Sequence, residues 1–186
     1  IAARPRGHCG APGRGITDDG YLTDPDPLES EVKRVEGERD LVVGPITLAP
    51  RFNPNATGAE PSTSPGELPP SVDARQPSLF AAGWTVGSIN ALANTGVDAL
   101  TYFETTGWKG LIERRDHPLR IAAFHSWPGM VFPIYHVLAD VGEFRDGEVL
   151  PVTLGDGLRV QALALRDGDR LRLILANMTS DSQHVS

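Results

Sequence analysis

The sequence predicts an α/β fold that passes, late in the chain, into antiparallel sheet. Three observations carry this. Residues 41–49, LVVGPITLA, form a nearly unbroken apolar run with β-branched residues, which suits a strand buried on both faces of a parallel sheet. A helical segment and then a second apolar run follow it, so strand, helix and strand occur in order. After Glu143 the texture changes to short strand-like runs separated by turn residues.

Residues 1–39 are rich in Gly, Pro, Arg and Asp. They read as irregular, with one short helix expected near Leu28–Val35. The first strand is Leu41–Ala49. Residues 51–77, dominated by Pro, Gly, Ser and Asn, form a loop of about 27 residues, a length that marks function or disorder. Ser78–Asn94 reads as a helix, with Pro77 near its first turn and Gly96 just past its end. Leu79, Phe80, Trp84, Ile89 and Leu92 supply its apolar stripe, and the small residues between them permit close packing. Val97–Phe103 is the second strand, parallel to the first through a right-handed crossover. After the loop WKGLIERRDHPLR, Met130–Val141 reads as a second helix, started or kinked at Pro133 and ending near Gly142.

Val149–Leu154, Leu158–Leu165 and Arg170–Asn177 read as antiparallel strands, the last two joined by a hairpin at Asp167-Gly168. The change of texture places a domain boundary near residue 145. The chain then divides into an irregular segment 1–39, an α/β part 40–144 and an all-β part 145–186. Two or three strands do not make a stable sheet alone, so the chain is expected to be a fragment of a longer protein, or else the missing strands lie elsewhere.

Composition narrows the function. The 186 residues are 40% hydrophobic and 22% charged, ordinary for a globular domain. A net charge of −7 without a Lys/Arg block argues against nucleic-acid binding. No apolar run approaches the roughly 20 residues of a membrane span, and the first residues lack a signal-peptide core. The cytoplasm is therefore the expected compartment. Cys9 is the single cysteine, so neither an internal disulfide nor a cysteine zinc site forms. No metalloprotease, nucleophile-elbow, phosphate-loop or dinucleotide motif occurs. No metal or cofactor is called for. Two glycosylation sequons, at Asn55 and Asn177, are of the length that arises by chance.

In parallel α/β folds, functional groups sit on loops at the C-terminal ends of strands. Two segments qualify: Arg51-Phe52-Asn53 after the first strand, and Glu104-Thr105-Thr106-Gly107-Trp108 after the second. Parallel, consecutive strands place both on one rim. Glu104 is the candidate general acid or base, if burial beside Trp108 or Tyr102 raises its pKa. A rim glutamate paired with Arg51 or Lys109 is the alternative. Arg51 is a candidate to hold a carboxylate or polarise a carbonyl, or else a salt-bridge partner. Asn53 is a candidate oxyanion donor, or else the start of an Asx-turn before Pro54. Trp108 suits a sugar platform, or else closes core against a loop. His125, in FHSWPG, is a candidate substrate contact, or else a structural hydrogen-bonding group.

Three stretches, GPITLAPRFNPNATG (44–58), LPPSVDARQPSLFAAGWTVGSINALANTGVDALTYFETTGWKGLIE (68–113) and FPIYHVLADVGEF (132–144), resemble the D-apionate lactonase (D-apionolactonase) family. The resemblance covers residues 41–180. It implies a glycoside-hydrolase-like TIM barrel followed by a C-terminal β-sandwich. The two parallel strands are then the seventh and eighth of the barrel, and residues 143–186 begin the sandwich. Residues 1–39 do not match what the seventh strand's predecessor requires, which puts their native status in question. Many retaining glycosidases of this lineage place a nucleophilic carboxylate at the seventh strand. Arg51-Phe52-Asn53 offers none, so the two-carboxylate mechanism is not visible.

Lactone hydrolysis needs only one base for water and donors for the oxyanion. The resemblance therefore implies hydrolysis of a sugar lactone to an aldonate in carbohydrate catabolism, with Glu104 as base and Arg51, Asn53, Trp108 and His125 against the substrate. The expected partner is a small-molecule sugar lactone or carbohydrate. The fragment alone is expected to be inactive. A glycoside hydrolase of the same lineage and a non-catalytic carbohydrate-binding module are the alternatives.

Overall fold

The structure is a computed structural model that describes residues 40–50, 63–116 and 121–185. The helix expected near Leu28–Val35, and the candidates Arg51 and Asn53, lie outside the described residues.

The elements follow the predicted order. They are β1 (Val42–Ile46), α1 (Leu79–Ala93), β2 (Ala99–Tyr102), α2 (Pro133–Glu143), β3 (Glu148–Leu150), β4 (Val160–Asp167) and β5 (Arg170–Asn177). β1 and β2 pair in parallel, Val42 beside Ala99, Val43 beside Leu100 and Ile46 beside Tyr102. The βαβ unit is therefore present, and a separate antiparallel sheet follows the parallel one.

β1 departs from the expectation of burial on both faces. Val43 and Ile46 are buried, whereas Val42 is 58% exposed. Among the described residues β1 hydrogen-bonds to β2 alone. The register also shifts between Val43 and Ile46. Pro45 lies in that interval and has no amide N–H to give to a ladder. The strand's inward residues are consequently three apart rather than two.

α1 begins after Ser78, whose backbone is extended as an N-cap requires. The Ser78 hydroxyl donates to the Arg75 carbonyl at 2.6 Å rather than to the helix. Its apolar stripe differs from the predicted one. Leu79 is 80% exposed and Phe80 lies on the surface beneath the Arg75 guanidinium. The buried face consists of Ala81, Ala82, Gly83, Thr85, Val86, Ser88, Ile89, Leu92 and Ala93. The reason is position: α1 is enclosed by α2, β4 and β5 on one side and the parallel pair on the other. Small residues dominate because the neighbours come close. A Cβ on Gly83 would stand 2.6 Å from Met178 Sδ, and one on Gly87 2.5 Å from Gln161 Oε1.

α2 starts at Pro133, whose fixed φ suits a first helical position. It runs through Gly142 to Glu143, so that glycine does not stop it. Ile134, Val137, Leu138 and Val141 form its buried stripe.

The second sheet has the order β3-β4-β5, antiparallel throughout. Asp167 pairs with Arg170, so the hairpin loop is Gly168-Asp169, one residue later than the sequence suggested. Gly168 has φ 56° and takes the first loop position, where positive φ is needed. Leu163 and Leu165 of β4 pack on α1 and α2. Arg172 of β5 ties the sheet to α2, its guanidinium 2.5 Å from Asp140 and 2.8 Å from Glu143, over the Phe144 ring. On the opposite face Leu171, Leu173 and Leu175 form an exposed row.

The described core has three parts. The largest joins both helices to β4. A second joins α1 to the parallel strands, with Trp84 and Tyr102 touching both. The third, Ile121, Phe124 and Phe132, lies under the long connection between β2 and α2.

Candidate functional site

β1 and β2 end side by side, Ile46 against Tyr102. The segments that follow them therefore leave from the same rim. The amide of Phe103 donates to the Ile46 carbonyl at 3.1 Å and ties the two ends together. Phe103 has φ 51°, the single non-glycine residue with positive φ among those described. A bulky residue pays for that conformation only where its surroundings hold it. Here the ring is buried in the largest core cluster, and the turn throws the next residue, Glu104, out onto the rim.

A compact loop carries Glu104. Its amide donates to the Lys109 carbonyl at 3.0 Å, Gly107 donates to Ile112 at 2.9 Å, and Leu111 donates to Thr105 at 3.2 Å. Gly110 is required by close approach, since a Cβ there would stand 2.7–2.9 Å from Thr106 backbone atoms. Beneath it the buried Gln76 amide donates to the Gly110 carbonyl at 2.9 Å. The loop is thus braced from α1's approach segment as well as from within.

The Glu104 carboxylate lies 3.4 Å from the Lys109 ammonium, with 39% of the Glu104 side chain exposed. Trp108 is half-buried. Its ring packs against Phe124 with centroids 5.8 Å apart, in the third core cluster. This contact joins the Glu104 loop to the segment that holds His125.

That segment forms a hollow of about 480 Å³ lined by Ile121, Ala122, Phe124, His125, Ser126 and Trp127. His125 is exposed on its wall. Turns hold the segment: Phe124 donates to Ile121, Ser126 to Phe124 and Met130 to Trp127, each at 2.9 Å.

Two residues were missed by sequence reasoning. Glu113 is 4% exposed, and its carboxylate accepts from the Ser126 hydroxyl at 2.6 Å and from the Arg114 amide at 2.8 Å. It sits at the head of the charged run Glu113–Asp116, which reads as a solvated loop; only the Leu111-Ile112 pair before it hints at burial. Trp127 is 60% exposed. In the sequence FHSWPG, His125 is the more conspicuous residue.

Tyr102 lies under the rim, its hydroxyl 2.7 Å from Ser88 Oγ. Burial pushes this phenol well above its usual range, the bond with Ser88 opposing. It is a neutral hydrogen-bonding group. Among the described residues no cluster of three His, Cys, Asp or Glu is placed to hold a metal ion, and no helix is long and apolar enough to cross a membrane.

The structure therefore brings Glu104, Trp108 and His125 into one connected region, the long β2–α2 connection. Arg51 and Asn53 lie outside the described residues. No curated protein and no solved structure matches the chain. A family model does: that of the D-apionate lactonase, TIM barrel domain, over residues 24–146. The match begins upstream of residue 41, where the likeness was first legible, and takes in β1, α1, β2 and α2. With well over half its length matched, the chain belongs to the D-apionate lactonase family.

Proposed function

We propose that the protein carrying this chain hydrolyses the ring ester of a branched sugar lactone, of the D-apionolactone type, to an aldonate. The observation that carries this is Glu104: a carboxylate at the C-terminal end of a parallel strand, in a chain of a lactonase family. Glu104 takes a proton from water as the water oxygen bonds to the lactone carbonyl carbon. The ring C–O bond then breaks, and the departing alkoxide receives the proton. Arg51 and Asn53 orient the substrate or stabilise the developing oxyanion, and Trp108 and His125 border the substrate. Lys109, 3.4 Å from Glu104, orients the carboxylate.

In this reading β1 and β2 are the seventh and eighth strands of a barrel, and β3–β5 begin a β-sandwich. The exposed row of Leu171, Leu173 and Leu175 supports a sandwich, because such a sheet face is normally covered by a second sheet. The product enters sugar catabolism in the cytoplasm.

The test is turnover by the full-length protein of a sugar lactone and of aryl glycosides. Lactone hydrolysis is expected, and Glu104→Gln should lower kcat by about 10²–10⁴-fold, the range of a lost general base. Glycoside cleavage without lactone turnover would overturn the reading in favour of a glycosidase. Binding of sugars with no turnover of either would favour a carbohydrate-binding module.

A further inference from the structure

We infer that the hollow of residues 121–127 is a sugar-binding subsite, in which Trp127 is the stacking platform and Glu113 the positioning residue. The inference rests on the lactonase reading for its ligand class, a sugar lactone or the aldonate made from it, and on separate observations for its location.

The first observation is the contrast among the tryptophans. Trp84 and Trp108 are half-buried and pack on core clusters, whereas Trp127 is 60% exposed. Trp127 thus gives the lining of the hollow an exposed indole. The C–H face of a sugar ring covers such a surface, and its hydroxyls keep their water or find polar neighbours. His125 and Ser126, on the same wall, are those neighbours. The hollow, about 480 Å³, is open to solvent and has room for a single sugar ring.

The second observation is Glu113. A carboxylate taken from water is costly unless hydrogen bonds replace its solvation. Glu113 obtains them from the Ser126 hydroxyl and a backbone amide. Since the Ser126 hydroxyl gives its proton to Glu113, its oxygen is left to accept from a ligand hydroxyl. The Glu113 amide donates to the Met130 carbonyl at 2.7 Å, so the same residue grips the segment on both sides of Trp127. The loop is held in place before a ligand arrives, which lowers the ordering cost of binding.

The experiment is calorimetric titration of the full-length protein with D-ribono-1,4-lactone and with D-ribonate. Saturable binding of at least one is expected. Trp127→Ala should weaken it by about tenfold, Trp127→Phe should recover most of that loss, and Glu113→Gln should weaken it by about three- to tenfold with the fold retained by circular dichroism. Absence of binding, or affinity unmoved by Trp127→Ala, would overturn the subsite. The two readings fail separately. Binding lost with Trp127 in a protein that turns over no lactone removes the lactonase reading alone. Lactone turnover by full-length protein with KM unchanged in Trp127→Ala removes the subsite alone.

Discussion

Tyr102 shows how one hydroxyl pair stabilises the rim. Its phenol and the Ser88 hydroxyl, 2.7 Å apart, are each other's partner in a buried setting. Tyr102→Phe leaves Ser88 without that partner, and should cost about 1–2 kcal/mol. Urea denaturation should show a lower midpoint at unchanged slope. Adding Ser88→Ala to Tyr102→Phe should recover part of the loss, because both polar groups are then gone. At this scale the sequence was unevenly legible. Glu104 stands out because a carboxylate after an apolar run is conspicuous. Glu113 does not, because its burial depends on Ser126, 13 residues away in the chain. A pairing of that kind has no local signature.

At the scale of elements, the loop that carries Glu104 is the sensitive part. Gly110→Ala sets a methyl group against Thr106 backbone atoms at 2.7–2.9 Å, and backbone cannot swing aside as a flexible side chain does. We expect a loss of about 1–3 kcal/mol in stability, with lactone turnover by the full-length protein falling further than the melt alone explains. Gly142→Ala is the contrast: nothing lies within 4 Å of the added methyl group, so it should be neutral or slightly stabilising in α2. Thermal melts of the two variants beside wild type decide both. Element order and type were legible because apolar runs and punctuation agree along the chain: Pro77 and Gly96 about α1, Pro133 at the head of α2, Asp167-Gly168 between β4 and β5. The faces were not. Leu79 and Phe80 belong to the helical stripe by spacing, yet they sit on the surface, because the first turn of α1 is left uncovered. Only the arrival of β4 and β5 determines that.

At the scale of the molecule, the antiparallel strands do not stand apart from the α/β part. Leu163 and Leu165 share a core with Val86, Ile89 and Ile134. We expect the chain to unfold in one transition, with far-ultraviolet circular dichroism and tryptophan fluorescence coinciding; two separated transitions would show that the sheet is held independently. The sequence places a boundary near residue 145 from texture alone, and texture reports what each segment is, not what it packs on. The enclosure of α1 has a further consequence, for how this lineage drifts. Nearly every position of the helix answers to a neighbour on one side or the other, down to glycines that leave no room for a methyl group. Neutral variation is therefore confined to its open first turn, Leu79 and Phe80, and to Asn94 beyond its end. As relatives diverge, α1 should keep the slowest clock in the chain, outlasting the loops that decide what the site recognises.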